Sequence, residues 1–430
     1  MGLVVANTVG VGVLTNTGYM AGRLGPSEIM FAWVVGGIMA LAGARSDAEI
    51  AALIPRSGGE YRYLSDLWHP FLGSLAGWTS LLVGFSAPVA LAASTVGPFF
   101  NTLVPGVPPS VVSVVLILAA TASQAFDLRW SKRTQDAFAI LKAILLAGFI
   151  VGGLVLGSHG LPTWTAPQAT GTFPLRPFAV SLVYIAFAFS GWNTAIYAAE
   201  EFRDPRRTVP RAMLLGTALV ALVYLAVNWI FVANLSGERL AGWLQEDTSR
   251  ITLAHLLIGE LAGKHVAQAA SLFVILSLVS SVISMTMVGP RVSAAMAEEG
   301  FLPKALAARN GRPPVGSVLL QSALALLLLA THGFEELLRS VGSILTLTSG
   351  LTVAALVRLR FGRRRLDAPA RPSWPVMAAA SIYLAGSFWM SWVTLVESPR
   401  TLVWVGVVGA AAAVAYLLAA RNRRRVMHRG

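Results

Sequence analysis

Apolar segments about 20 residues long constrain the fold of this chain more than any other feature. A transmembrane helix needs about 20 consecutive apolar residues, and such segments recur along nearly the whole sequence with short connections. Only 12% of the 430 residues are charged, whereas a soluble domain carries about 25%. The sequence therefore predicts an all-α polytopic membrane protein that forms one integral domain over residues 1–430, with no separate soluble domain.

The hydropathy pattern predicts twelve transmembrane helices. The spans lie near residues 2–22, 29–53, 71–99, 110–126, 134–156, 177–199, 211–234, 266–289, 315–331, 335–358, 375–396 and 401–420.

Lysine and arginine are distributed unequally between the two sets of loops. Of the 33 basic residues, 25 lie on the side that holds the C-terminus, 7 lie on the opposite side, and Lys142 lies within a span. Because basic loops stay cytosolic, we expect a multi-pass protein of the cytoplasmic membrane with both termini in the cytosol. The runs RLRFGRRR and RNRRR are topology determinants or, alternatively, lipid-binding clusters. No nucleic-acid-binding motif accompanies the net charge of +13, so the expected partner is the bilayer.

Two predicted spans contain glycine and polar residues at membrane depth. The first span carries Asn-Thr-Val-Gly-Val-Gly at 7–12, and the sixth carries Phe-Ser-Gly-Trp-Asn at 189–193. Non-helical backbone survives at that depth only where protein or a polar cavity surrounds it. Small residues also allow close helix packing, which is the simpler alternative for either segment alone.

The two interruptions stand at the heads of successive five-span blocks. Because five is odd, the blocks have opposite orientation, which predicts inverted repeats over about 1–157 and 177–360, with two further helices over about 375–420. In secondary transporters built from inverted repeats, the substrate lies near the bilayer midplane between two discontinuous helices. Amide groups that start a half-helix favour an anion, and carbonyl groups that end one favour a cation. A ligand with both charges on one carbon, an α-amino acid, satisfies both.

Four segments together are similar to one family. They are AEIAALIPRSGGEYRYL (48–64), DLRWSKRTQDAFAILK (127–142), FAFSGWNTAIYAAEEFRDPRRTVPRAM (187–213) and GPRVSAAMAEEGFLPKALAARNGRPPVGSVLL (289–320). In this order they resemble the amino acid–polyamine–organocation transporters, in particular the L-type branch. The resemblance implies the family's fold of two inverted five-helix repeats plus two helices, with discontinuous helices 1 and 6, working by alternating access.

The resemblance also implies a substrate site at the two breaks. Carbonyl groups there would hold the substrate ammonium, and amide groups of the first break would hold its carboxylate. Phe187 matches the family's aromatic gate, which covers the substrate from outside. The substrate-binding residues expected on this basis are Thr8, Gly10, Val11, Gly12, Phe187, Ala188, Gly191 and Asn193.

Lys142 is the only charge well inside a span. It lies about 12 Å from the expected cytosolic end of its helix, so its side chain could simply extend to the interface. By resemblance, however, its ammonium occupies the place of a sodium ion and bridges the broken first helix and the eighth. Ser280 and Ser281 of the eighth span would complete this ion-site substitute, although hydroxyls commonly bond to their own helix.

Two departures from the family pattern bear on substrate and partners. Val11 replaces a serine in the family's Gly-Ser-Gly, which removes a hydroxyl near the expected carboxylate. The chain contains no cysteine, so no disulfide-linked heavy chain is expected, and no metal or cofactor is expected either. Glu60, near Arg56 and Arg62, is interpreted as part of an ion-pair network in a loop.

The predicted function is sodium-independent secondary active transport of amino acids, neutral α-amino acids in the first place, as an exchanger or a proton-coupled permease. Two alternatives use the same fold: export of polyamines or amino acids, and a sensor that binds without transport. An enzyme is not expected, because the six histidines are scattered and no HExxH or GxSxG motif occurs.

Overall fold

The computed structural model describes residues 1–54, 59–126, 132–160, 162, 172–197, 202–298, 302–307, 314–361 and 371–427. Within these ranges the regular structure is helical, with no strand. The loops around 55–58 and 127–131 lie outside the described residues, and with them Arg56 and part of the second family-like segment. Glu200 and Glu201 also lie outside.

The first predicted span is two helices. Helix α1 (Gly2–Thr8) ends where Val9 turns to extended backbone, and α2 (Gly12–Met20) begins three residues later. A helix of 7 residues followed by one of 9 does not cross a membrane as a single rod, since about 20 continuous residues are needed. The predicted interruption of this span is therefore present.

The second to fifth predicted spans follow as longer helices. The third contains a π-helical stretch over Ser80–Ser86, where the backbone hydrogen bonds span five residues and not four. The elements are α3 (Pro26–Leu53), the short α4 (Gly59–Leu67), α5 (Pro70–Thr79) with the π stretch and α6 (Ala87–Leu103), α7 (Pro109–Ala125) and α8 (Lys132–Leu156).

The sixth predicted span is also interrupted. Helix α9 (Leu175–Ala188) ends one residue before a 3₁₀ turn at Ser190–Asn193, and the short α10 (Thr194–Tyr197) follows. The second half of the chain then forms α11 (Pro205–Asn234), α12 (Gly237–Trp243), α13 (Asp247–Ile251), α14 (Leu253–Ala262), α15 (Lys264–Glu298), α16 (Val315–Thr331), α17 (Phe334–Phe361), α18 (Trp374–Glu397) and α19 (Pro399–Met427).

Nine segments of the described chain are helical, long and apolar enough to cross a membrane, which identifies an integral multi-pass protein. The fourth and ninth predicted spans form apolar helices of 17 residues, α7 and α16, and the first is divided as described. The total of twelve spans and the inverted repeat stay predictions, as does the division of the chain at about 157, 177 and 360.

The interior helices pack closely against the two interrupted spans. Helix α11 lies along α3, α2 lies along α9, and α17 and α18 both contact α9. At Gly342 of α17, an added Cβ would lie 2.6 Å from the carbonyl oxygen of Val183 in α9. This glycine therefore sets how closely α17 approaches the helix that carries the second break.

Replacing Gly342 with alanine tests that contact. Overpacking of a close helix contact costs about 1–3 kcal/mol, so we expect Gly342→Ala to lower the melting temperature of the detergent-purified protein. Gly350→Ala on the same helix is the matched control, because no atom lies within 4 Å of the added Cβ. That variant should be neutral or more stable by about 0.5–1 kcal/mol. Equal melting temperatures for the two variants would contradict the proposed packing role.

Candidate functional site

The two helix interruptions lie against each other. An added Cβ at Gly191 in the second break would lie 2.5 Å from the carbonyl carbon and oxygen of Asn7 in the first. Likewise, a Cβ at Gly12 would lie 2.8 Å from the Cβ of Ala188. Because no larger side chain fits at either position, the backbones of the two breaks meet directly.

This contact brings complementary helix ends to one place. Helix α2 starts at Gly12, and no side chain caps its N-terminus, so amide groups of its first turn lack helical partners. Helices α1 and α9 end nearby at Thr8 and Ala188, which leaves carbonyl groups there. Backbone donors and acceptors therefore face one region from two helices.

Tyr224 of α11 contacts both breaks and was not predicted from the sequence. Its hydroxyl lies 2.8 Å from the carbonyl oxygen of Thr8 and 3.1 Å from that of Ala188. A carbonyl oxygen has two lone pairs, so these acceptors keep capacity for a second donor. The sequence does contain a sign of its role: the spacing of Thr217, Tyr224 and Asn228 places polar groups on one face of an apolar helix. All three side chains are buried in the structure.

Lys142 of α8 reaches the first break. Its Nζ donates to Ser281 Oγ on α15 at 2.8 Å and lies 3.5 Å from the carbonyl oxygen of Val9. Ser281 Oγ in turn donates to the carbonyl oxygen of Ser277, within its own helix, at 3.2 Å. The ammonium thus joins α8, the interrupted span and α15, three elements far apart in sequence.

A cavity of about 1400 Å³ surrounds the breaks. All the residues proposed from the sequence for substrate or ion contact line it, and they come from the first, fifth, sixth and eighth predicted spans. They are Thr8, Gly10, Val11, Gly12, Lys142, Phe187, Ala188, Gly191, Asn193, Ser280 and Ser281. The structure therefore brings these positions together, while their individual roles stay proposals.

Glu60 does not belong to the predicted loop ion-pair network with Arg62. Arg62 instead lies 3.9 Å from Asp66, one turn along α4, and Arg56 is outside the described residues. Glu60 is 5% exposed, and its Oε1 accepts from Ser349 Oγ at 2.6 Å and from Asn193 Nδ2 at 3.3 Å. The carboxyl group therefore contacts the second break itself.

A cluster of charged and polar side chains surrounds Glu335. Glu335 of α17 accepts from the Tyr184 hydroxyl of α9 at 2.7 Å and pairs with Arg23 at 2.9 Å and Arg339 at 2.8 Å. Arg250 lies 3.9 Å away. We call these residues the Glu335 cluster; it ties α9 and α17 to the chain after α2.

The Glu335 cluster lies outside the cavity lining. The described lining of the cavity includes Arg62 of α4 and Arg291 of α15 but no residue of the Glu335 cluster. Asn16 Nδ2 of α2 donates a hydrogen bond to the carbonyl oxygen of Tyr184 in α9 at 2.7 Å. This bond holds α2 and α9 together near the cluster. These bonds hold α2, α9 and α17 together outside the cavity lining.

Comparison with known proteins agrees with this geometry. The family model for amino acid permeases matches residues 1–419. The chain is 30% identical over 389 residues to the large neutral amino acids transporter small subunit 2 of Mus musculus, covering 86% of this chain and 71% of that protein.

Two further relatives are amino acid transporters by name. The serine/threonine exchanger SteT of Bacillus subtilis is 27% identical over 425 residues, covering 95% of this chain and 93% of that protein. The Asc-type amino acid transporter 1 of Mus musculus is 27% identical over 388 residues, covering 86% and 72%. With a match across nearly its whole length, the chain belongs to the amino acid permease family.

Proposed function

We propose that this protein carries neutral α-amino acids across the cytoplasmic membrane, without sodium, by alternating access, as an exchanger or a proton-coupled permease. The observation that carries the proposal is the meeting of two interrupted helices inside one cavity. The helix ends there present amide groups and carbonyl groups together, which suits a ligand that bears a carboxylate and an ammonium on one carbon.

The substrate backbone is assigned to the breaks. The first amides of α2, at Val11 and Gly12, would hold the carboxylate, since uncapped helix N-termini favour anions. The carbonyl groups of Thr8, Phe187 and Ala188 would hold the ammonium, with Tyr224 orienting two of them. Phe187, 7% exposed in the cavity wall, would serve as the gate, and Asn193 would lie beside the substrate.

Sodium independence rests on Lys142. A sodium site at a broken helix uses carbonyl and hydroxyl oxygens, and the Lys142 ammonium contacts one of each, at Val9 and Ser281. A fixed ammonium supplies the same positive charge without a transported ion. The relatives named as amino acid transporters, one of them as an exchanger, support a transport role for the site.

Counterflow in proteoliposomes separates transport from binding alone. We expect saturable uptake of a labelled neutral amino acid into vesicles preloaded with the same unlabelled compound, unchanged when choline replaces sodium. A parallel melting screen of amino acids and polyamines identifies the ligand, because a ligand at 100 times its Kd stabilises the folded state by about 2.7 kcal/mol. Stabilisation without counterflow would indicate a sensor, and stabilisation by polyamines alone would refute the amino acid assignment.

Loss of the Lys142 ammonium should impair the cycle. Hydrogen bonds to charged groups contribute about 1.5–3 kcal/mol, so we expect Lys142→Ala to slow counterflow by about tenfold to hundredfold. Lys264→Ala is the control, since Lys264 is exposed at the start of α15. Normal kinetics in a correctly folded Lys142→Ala protein would refute the ion-substitute role.

The Glu335 cluster should hold the outer side closed. Because the chain contains no cysteine, a single Ala40→Cys substitution in the cavity wall reports access to membrane-impermeant maleimide without background. Removing the charge with Glu335→Gln weakens bonds to three other residues. We expect labelling from the side of the cluster to become faster in that variant.

Glu336→Gln is a closely matched control for this experiment. Glu336 is the next residue on the same helix and has nearly the same exposure, 22% against 21%, but it pairs with Arg400, which is 79% exposed. Exposed ion pairs contribute about 0–1 kcal/mol, so labelling should stay near the parent rate. Equal labelling rates in both variants would contradict a closing role for the cluster.

A further inference from the structure

Two carboxyl groups are buried beside the second break. Asp47 of α3 is fully buried, and neither of its side-chain oxygens has a hydrogen-bond partner among the described residues. Glu60 of α4 is 5% exposed, and its negative charge acts on the Asp47 carboxyl group. The hydroxyl of Tyr63, also fully buried, has no hydrogen-bond partner either. Unpaired polar atoms of this kind are costly in a protein interior.

No cation of the described chain offsets this pair. The titratable groups that face Asp47 are Glu60 and Tyr63 from α4 and Tyr383 from α18, and Tyr383 faces Glu60 as well. The neighbouring arginines are engaged elsewhere, Arg45 with Glu49 at 2.9 Å and Arg62 with Asp66. The other groups on Glu60 are the neutral side chains of Ser349 and Asn193.

Two ionised carboxylates next to each other in a protein interior carry a high free-energy cost. Burial disfavours the charged form of each, and the second charge adds repulsion. Burial raises the pKa of the Glu60 carboxyl above its ordinary value, against the opposing effect of its bonds from Ser349 and Asn193. The pair therefore binds a positive charge in its stable form.

A proton fits this place better than a metal ion does. Calcium takes six to eight oxygen ligands, and no group of three or more acidic, histidine or cysteine side chains in the described residues is arranged to hold a metal. A proton needs only one oxygen to bind, and the unpartnered oxygens of Asp47 offer that.

We propose that Asp47 and Glu60 together bind one proton and form a site that couples proton movement to the substrate cycle. The proposal rests on the transport function above and selects the proton-coupled form of it. No covalent or redox step is involved: a proton from cavity water binds the pair and leaves to water on the opposite side with the substrate.

Glu60 connects this site to the substrate. It lines the cavity, which gives the proton a path to water. As a carboxylate, it accepts from Asn193 in the second break and from Ser349 of α17; once protonated, it loses acceptor strength and gains a donor. Proton occupancy therefore changes the bonds that join α4 and α17 to the broken sixth span, beside the expected substrate position.

Infrared spectroscopy of the purified protein tests proton binding without transport. A protonated carboxyl group shows a carbonyl stretch that an ionised carboxylate lacks. We expect such a band at neutral pH in the parent protein and its loss or shift in Asp47→Asn and in Glu60→Gln. Glu49→Gln, two residues along α3 from Asp47 and paired with Arg45, is the control and should keep the band. A band unchanged in both test variants would overturn the proposal.

Proton flux in proteoliposomes tests the coupling. With one proton per substrate, a gradient of one pH unit should drive about tenfold accumulation, and an entrapped pH indicator should report proton entry when substrate is added. In Asp47→Asn, the ratio of proton flux to substrate flux should fall at least about fivefold. A packing defect would lower both fluxes together and leave that ratio unchanged.

The two proposals fail in different ways. Counterflow without proton entry in the parent protein would overturn proton coupling and leave amino acid transport standing. Absence of counterflow, together with a carboxyl band that depends on Asp47, would overturn the transport function and leave the proton-binding site standing. Proton entry at an unchanged ratio in Asp47→Asn would overturn the assignment of coupling to this pair.

Discussion

The need to pair every backbone polar group inside the hydrocarbon layer organises this structure. Each interrupted span frees amide and carbonyl groups in the bundle interior, and the surrounding helices supply partners for them. The Tyr224 hydroxyl binds a carbonyl of each break, and the Lys142 ammonium approaches a third carbonyl at Val9. The helices α8, α11 and α15 are thus tied to the breaks by polar contacts as well as by apolar packing.

Much of this arrangement could be predicted because the signals are local. Apolar length predicts the long spans, and glycine with polar residues inside such a span predicts an interruption. Both interruptions occur where the sequence indicates them, and the residues proposed there line one cavity. For helices α7 and α16, length alone does not decide whether they span the membrane. At 17 residues they fall at the lower end of the range for transmembrane helices.

The unpredicted parts depend on contacts between distant residues. Tyr224 lies 216 residues from Thr8, and an aromatic residue in an apolar helix is ordinarily packing. Glu60 was assigned to arginines close in sequence, but its bond to Ser349 spans 289 residues and leads into the interior. Arg62 pairs with Asp66 further along α4, whereas Glu60 is turned inward, and spacing along the chain does not distinguish these two orientations.

The direct contact between the two breaks has a consequence for how this protein can diverge. Gly12 faces Ala188, and Gly191 faces the backbone at Asn7, with no room for an added methyl group. A larger residue at position 12 is therefore compatible with the site only alongside a smaller one at 188. Position 191 has no such compensation, because backbone cannot be reduced. Substitutions that alter selectivity are accordingly directed to the remainder of the cavity wall, where side chains face side chains.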